Sequence, residues 1–219
     1  KAAGINDLGL GRAELPMPEI LTETNMRETH VAEKLIRRKR RQYEIQNRQF
    51  SDMKPDTRLA EYLDRATFIN KDGDVCEFTA LQKHDLNLVL QKRYALLNWQ
   101  QGSGKTAAVY HRAKYLLKFR KVRNVIILAP AIATNMTWIP FLSINRERFR
   151  IVRNNADFET VPGGVFIVLS TSMLGKLKRG LAKFVKRSSR KLCLVFDESD
   201  EITNPSSQRT RHILGLFRR

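Results

Sequence analysis

Gly102-Ser103-Gly104-Lys105-Thr106, behind the apolar run Tyr94-Ala95-Leu96-Leu97, is the stretch that decides the expected fold. The two glycines let backbone N–H groups approach phosphates, and the lysine adds a cation. The threonine hydroxyl can ligate Mg²⁺, and a helix starting here turns its positive end toward the same anion. Trp99 stands where the general pattern G-x-x-x-x-G-K-[ST] has glycine. The pattern predicts a nucleoside-triphosphate site, against the alternative of a chance Gly/Ser loop before a helix; its binding residues are Gln101, Gly102, Ser103, Gly104, Lys105 and Thr106.

Composition favours a polyanionic partner. The 219 residues include 40 Lys+Arg and 22 Asp+Glu, a formal charge of +18. Such an excess is typical of nucleic-acid binding, with an anionic membrane surface as the competing explanation. The longest apolar run, Val125 to Ala133, is too short to cross a bilayer, so we expect no membrane partner. Two cysteines without disulfide or metal spacing and no signal peptide suit an intracellular protein (cytoplasm, nucleoid or nucleus) that is not secreted.

The first part of the chain, residues 1–77, is predicted to be a basic, mainly helical accessory region. Residues 1–20 carry glycines and prolines and indicate an extended lead-in. Glu23 to Gln49 lacks both and favours a helix, whose centre, Arg37 to Arg41, is five consecutive cations. Such a run is either a solvated face or a phosphate-contacting one. A short helix over Arg58–Ala66 and a hairpin with an Asp-Gly turn over Phe68–Val75 follow.

From residue 78 to 219, helices alternate with apolar strands. Helical patterns cover Ala80 to Lys92, the segment behind the glycine loop, and Leu174 to Phe184. The predicted strands are Tyr94–Asn98, Val125–Ala129, Arg150–Val152, Val165–Leu169 and Leu192–Phe196. Strands that are apolar throughout indicate a mostly parallel sheet covered on both faces. The expected fold is therefore an α/β domain.

An acidic pair follows the last strand. Asp197 and Glu198 close Leu192–Phe196, and ligand sites of parallel sheets lie at the carboxyl ends of strands. We expect Asp197 to hold Mg²⁺ together with Thr106, and Glu198 to orient and deprotonate the attacking water. Alone, such a pair often only caps a helix. Together with Lys105 it predicts hydrolysis of ATP or GTP.

These residues resemble a known family. Asp197-Glu198-Ser199-Asp200 with Asn204-Pro205-Ser206-Ser207 is similar to the Asp-Glu box and Asn-Pro-x-Ser extension of Swi/Snf-type ATPases of helicase superfamily 2. In that family Ala-His stands where this chain has Ser199-Asp200, and a non-glycine is tolerated at the Trp99 position. Three landmarks occur in the family's order: Gln82, which looks like the adenine-reading glutamine, Leu128-Ala129-Pro130 with Trp138, and Ser170-Thr171-Ser172-Met173. They span residues 78 to 212, about two-thirds of the chain.

The resemblance implies the first RecA-like lobe of a motor that hydrolyses ATP with Mg²⁺ and moves on double-stranded DNA. A second RecA-like lobe would follow this chain and complete the site, so residues 78–219 would form an incomplete lobe with poor ATPase activity by itself. Two alternatives stay open. One is a strand-separating DNA or RNA helicase of the same superfamily, and the other is a nucleic-acid-binding scaffold with a weak ATPase.

Candidate nucleic-acid contacts come from two sources. The basic segment Lys176–Lys191 contains no acid, and its apolar residues recur at helical spacing, which leaves its cations for solvent or phosphate. The family resemblance adds hydroxyl residues near strand ends that meet the DNA backbone. The candidates are Thr134, Ser170, Thr171, Lys178, Arg179, Lys183 and Arg187.

Overall fold

The computed structural model describes residues 26–119, 121–188, 191–198, 204 and 206–217. The chain divides into two compact units, Lys1–Arg48 and Gln49–Arg219. In the first unit the described structure is helix α1 (Met26–Asn47), which confirms the helix expected over this segment. The lead-in expected at residues 1–20 lies outside the described residues.

The second unit alternates helices and strands. In chain order it contains α2 (Thr57–Asp64), β1 (Thr67–Ile69), β2 (Val75–Glu77), α3 (Ala80–Gln91), α4 (Lys105–Lys118), β3 (Asn124–Ala129), α5 (Ala131–Ala133), α6 (Ile139–Ile144), β4 (Phe149–Ile151), β5 (Phe166–Ser170), α7 (Leu174–Arg187), β6 (Leu192–Phe196) and α8 (Gln208–Phe217). A π-helical stretch, Thr134–Trp138, joins α5 to α6. The predicted hairpin forms as β1 and β2, which pair antiparallel around a turn with Gly73 at φ +92°.

The main sheet has four strands in the order β4-β5-β3-β6, and all its pairs are parallel, as predicted. Ala129 pairs with Ser170, and Leu128 pairs with Phe196. The carboxyl ends of β3, β5 and β6 therefore lie side by side. Segments that follow these three strands emerge at one edge of the sheet.

Strand β3 separates two core layers. All six of its residues are buried. Val125, Ile127 and Ala129 face a cluster that includes Tyr110 of α4 and Trp138. Ile126 and Leu128 face the opposite cluster, built from α7 and Ile213 of α8, whose α7 members are Leu174, Leu177, Leu181, Phe184 and Val185. The sheet is thus covered by helices on both faces.

The elements between Gln49 and residue 78, namely α2, β1 and β2, belong to the same unit as the sheet. Leu59 and Leu63 of α2 are buried with Leu86 of α3 and Ala108 of α4. The Asn87 side chain accepts from the Asp56 N–H and donates to the Asp56 carbonyl, both at 2.7 Å. The unit therefore begins at Gln49, whereas the sequence placed a boundary between residues 77 and 78.

One predicted strand is wrong, because Tyr94–Asn98 is irregular. The Arg112 guanidinium on α4 donates to three carbonyls that lie just before Tyr94 in the chain: Val89, Lys92 at 2.8 Å and Arg93 at 2.9 Å. These bonds bring the end of α3 onto α4 and leave the side chains of Tyr94 and Leu96 exposed. Among the described residues, β6 accordingly pairs with β3 alone.

No helix in the described ranges combines the length and the apolar character that crossing a bilayer requires.

His111 is a buried histidine on α4 inside a ring of aromatic side chains. Phe78 and Tyr110 lie nearest, with ring centroids at 5.1 and 4.8 Å. Both ring nitrogens are buried without a hydrogen-bond partner of normal geometry. Burial, assisted by repulsion from Lys114, lowers the pKa of His111 from 6.5 to about 4, while the Thr67 backbone and Glu147 oppose the shift.

We expect His111 to make the fold acid-sensitive. Because its folded-state pKa lies below its ordinary value, the unfolded chain binds more protons between about pH 6.5 and 4. Stability is therefore lost as the pH falls through that window. His111→Phe should remove about 2 kcal/mol of the loss between pH 7 and pH 5, measured by urea unfolding at both values. His84→Phe, at an exposed site, is the control, and an unchanged pH dependence in His111→Phe would contradict the assignment.

Candidate nucleotide site

The glycine loop turns sharply into α4. Gly102 and Gly104 have φ of +80° and +82°, a left-handed conformation that favours glycine. Gly104 immediately precedes α4, and a Cβ there would lie 3.4 Å from the Gln82 amide nitrogen. The first N–H groups of a 14-residue helix are thus presented directly behind the loop. This local geometry suits an anion.

Helix α3 holds the loop at two points. The Gln82 Nε2 group donates to the Ser103 carbonyl at 2.9 Å, and the Trp99 indole Nε1–H donates to Asp85 Oδ2 at 3.1 Å. Gln82 and Asp85 are three residues apart and so share a face of α3. Gln82 Oε1 also accepts the Thr79 N–H in a capping box at the start of α3. In this structure the glutamine expected to read adenine therefore positions the loop.

Lys105 lies across the loop. Its Nζ donates to the Trp99 carbonyl at 2.9 Å, and its side chain is exposed. The Trp99 carbonyl thus accepts a hydrogen bond from Lys105, and the Trp99 indole N–H donates one to Asp85. A phosphate in the loop would compete with one carbonyl for the ammonium, which is an exchange that an exposed lysine can make. Thr106 lies half-buried in the first turn of α4. The loop, Lys105 and the first turn of α4 thus present the kinds of group that bind phosphate.

The acidic pair lies at the carboxyl end of β6. The Asp197 N–H donates to the Leu128 carbonyl at 2.8 Å, and its Oδ2 accepts the Trp138 indole N–H at 2.7 Å. Trp138 is 1% exposed, so this carboxylate is held by a rigid core side chain. Glu198 is exposed and has φ +54°, a backbone conformation rare outside glycine. Such conformations cluster at functional sites.

Helix α4 runs from the glycine loop to the amino end of β3. It contacts β3 and β6, and it reaches β3 through the short connection 119–123. Farther along α4, Tyr110 and Lys114 contact Glu147, which lies just before β4, at 2.6 and 2.8 Å. The later turns of α4 therefore lie toward the amino edge of the sheet. The loop at its start is directed toward the carboxyl edge, the edge of Asp197.

The predicted hydroxyl contacts lie at the same edge but are largely enclosed. Thr134 is 4% exposed and its hydroxyl donates to the Ala129 carbonyl at 3.3 Å, while Thr171 is 3% exposed. Ser170 is half-buried, with its Oγ 2.8 Å from Ser172 Oγ. In this arrangement the two threonines offer little surface to a polyanion.

The basic helix lies on the other side of the sheet. Helix α7 belongs to the core cluster opposite the one that α4 joins. Its cations Lys178, Arg179, Lys183 and Arg187 are exposed, and the Arg187 Nη2 group donates to the Phe158 carbonyl at 2.7 Å. The structure thus separates these cations from the glycine loop by the thickness of the sheet.

Part of the extension after the acidic pair is described. Asn204 Oδ1 accepts from the Ser206 N–H and hydroxyl at 2.9 and 2.6 Å, and Ser207 Oγ accepts the Thr210 N–H at the start of α8. These bonds build a turn that leads into a helix. Ser199–Thr203 and Pro205, which carry the rest of the motif, lie outside the described residues.

Sequence reasoning did not predict two contacts that position residues of the site. Asp85 gave no motif signal; its only hint was its spacing of three residues from Gln82 on a predicted helix. Trp138 was named as a landmark, but its bond to Asp197 joins residues 59 positions apart and has no local signature.

Comparisons with protein-family models, curated proteins and solved structures find no match for this chain.

We expect Asp85→Ala to loosen the loop. Losing a charged acceptor leaves the Trp99 indole unpaired, at a cost of about 1–3 kcal/mol. Amide hydrogen exchange should accelerate over residues 99–104. Asp85→Asn, which keeps an acceptor oxygen, should preserve most of the protection. Identical exchange in wild type and Asp85→Ala would show that the bond does not hold the loop.

Proposed function

We propose that the chain binds ATP with Mg²⁺ and hydrolyses it as the first RecA-like P-loop lobe of a Swi/Snf-like motor on double-stranded DNA. A second lobe, C-terminal to these residues, would complete its active site. The observation that carries the nucleotide part is the glycine loop. Two left-handed glycines, an exposed lysine and a helix N-terminus converge there, fixed by α3. The parallel α/β sheet and the acidic pair at the edge toward which the loop is directed support the same proposal.

Each residue has a distinct role in this proposal. Lys105 binds the β- and γ-phosphates, and Gly102 to Gly104 bring backbone N–H groups to them. Thr106 and Asp197 would hold Mg²⁺, which would supply positive charge beside the phosphates. The Trp138 indole N–H occupies Asp197 Oδ2, which leaves Oδ1 as the oxygen that would serve a metal ion. Glu198 orients and deprotonates the attacking water.

A nucleic-acid-binding scaffold with a weak ATPase is the second candidate. The observation that favours it is the place of the α7 cations, which lie on the opposite face of the sheet from α4. Nucleic acid bound there need not touch the nucleotide site. A motor requires duplex DNA to accelerate ATP hydrolysis, whereas binding of DNA without acceleration would favour the scaffold. Release of a strand in a displacement assay would instead favour a helicase.

Lys105→Ala should weaken nucleotide binding. Removing the ammonium deletes a charge-assisted contact to phosphate, so affinity for Mg-ATP should fall at least about tenfold. Equilibrium binding of a fluorescent ATP analogue measures it. Lys121→Ala, which removes an exposed cation just beyond the far end of the same helix, is the matched control. Equal affinities of the two variants would refute a phosphate role for Lys105.

Glu198→Gln should separate binding from chemistry. The amide cannot accept a proton, so hydrolysis should fall about 10²-fold or more while affinity for Mg-ATP is retained. The hydrolysis rate is measured as release of inorganic phosphate. The assay contains duplex DNA and a second lobe where activity requires them. A variant that hydrolyses ATP at the wild-type rate would exclude Glu198 as the base.

A further inference from the structure

Helix α1 carries its cations around its entire circumference. Arg37, Arg38, Lys39, Arg40 and Arg41 are consecutive and all exposed. At 3.6 residues per turn their side chains leave the axis at about 0°, 100°, 200°, 300° and 40°. No side of this part of the helix is free of positive charge. A helix packed along the protein by one face would carry its cations on the opposite side only.

The density of this charge matches that of duplex DNA. Five consecutive residues place about one cation per 1.5 Å of helix axis. Double-stranded DNA carries about one phosphate per 1.7 Å of its own axis. When these cations neutralise DNA phosphates, the counterions condensed on the DNA are released. This release is the main source of sequence-independent affinity for DNA.

The apolar residues of α1 argue against a membrane or a partner helix. Ile36 and Tyr43 are seven residues apart and share a face, and both are exposed, at 59% and 71%. Lys39 and Arg40 stand between them on that face. A coiled coil or a membrane-surface helix needs a continuous apolar stripe along one side, and these cations interrupt it.

We infer that α1 is a second DNA-binding element that lies in the major groove of duplex DNA, with its cations directed to the phosphates of both groove walls. An α-helix about 10–12 Å across fits a major groove about 12 Å wide. Only there do anions flank a helix on opposite sides. A flat anionic surface would leave half of these cations unused. The inference does not require nucleotide chemistry in the second unit.

The test measures binding of the whole chain to a fluorescent DNA duplex over a range of salt concentrations. The variant Arg37→Gln/Arg38→Gln/Arg40→Gln/Arg41→Gln keeps good helix formers. Its affinity should fall on the order of tenfold or more, and its log–log salt slope should shrink by about two to four. The same four positions changed to Lys should retain most of the affinity.

The control Lys54→Gln/Arg58→Gln/Arg148→Gln/Arg150→Gln removes the same charge from exposed positions of the second unit. It should bind DNA more tightly than the α1 variant. Equal losses in the two variants would mean that net charge alone attracts DNA, and the inference would fail.

Chemical protection of the bases and binding to duplex RNA test whether α1 lies in the major groove. The bound chain should protect guanine N7, in the major groove, from dimethyl sulfate, and should leave adenine N3, in the minor groove, reactive. The α1 variant should lose that protection. Duplex RNA should bind more weakly, because its major groove is too narrow and deep for a helix. Unprotected N7, equal affinity for duplex RNA, or stronger binding to phosphatidylserine vesicles than to DNA would each overturn the assignment.

Mg-ATP binding distinguishes this inference from the proposed function. The α1 variant should bind the ATP analogue with wild-type affinity, which also shows that its second unit is folded. Failure of Lys105→Ala to affect nucleotide binding would remove the proposed ATPase and leave the α1 result standing.

Discussion

Burial of β3 on both faces is the constraint on which the sheet domain depends. Its six residues are buried and lie in the middle of the sheet, with β5 paired on one side and β6 on the other. An apolar strand of this kind cannot be left open to water on either side, so helices must cover both. The chain does this with α4 and the segment Ala131–Ile144 on one face and with α7 and α8 on the other. Trp138, buried on the first face, reaches the acidic edge because of that arrangement.

The glycine loop is built from a second, smaller set of contacts. It is fixed from α3 by Gln82 and Asp85, while Arg112 ties the end of α3 to α4. These bonds are polar and partly buried, so each lost partner would leave an unpaired group behind. Trp99 stands where the general phosphate-loop pattern has glycine. Its backbone carbonyl accepts a hydrogen bond from Lys105, and its indole N–H donates one to Asp85.

Much of the fold was readable from local pattern. Leu192–Phe196 forms the strand that its apolar run predicts, and Ala80–Gln91 forms the helix that begins at the Thr79 capping box. The strand expected at Tyr94–Asn98 does not form, although its apolar run resembles the others. The chain just before it is bonded instead to Arg112, a residue beyond the loop whose hydrogen bonds no local pattern reveals. Helix α2 likewise packs on helices that follow it in the chain, through contacts that no local pattern reveals.

For the candidate site, the sequence by itself determined which chemical groups are available: a glycine loop before a helix, a lysine, a threonine, and two carboxylates after a strand. These follow from residue type and spacing, which act over a few positions along the chain. Only the tertiary structure decided that Gln82 and Asp85 hold the loop, that Trp138 orients Asp197, and that the α7 cations lie across the sheet from α4. Such contacts join residues far apart in sequence, and the packing of helices on the two faces of β3 brings them into place.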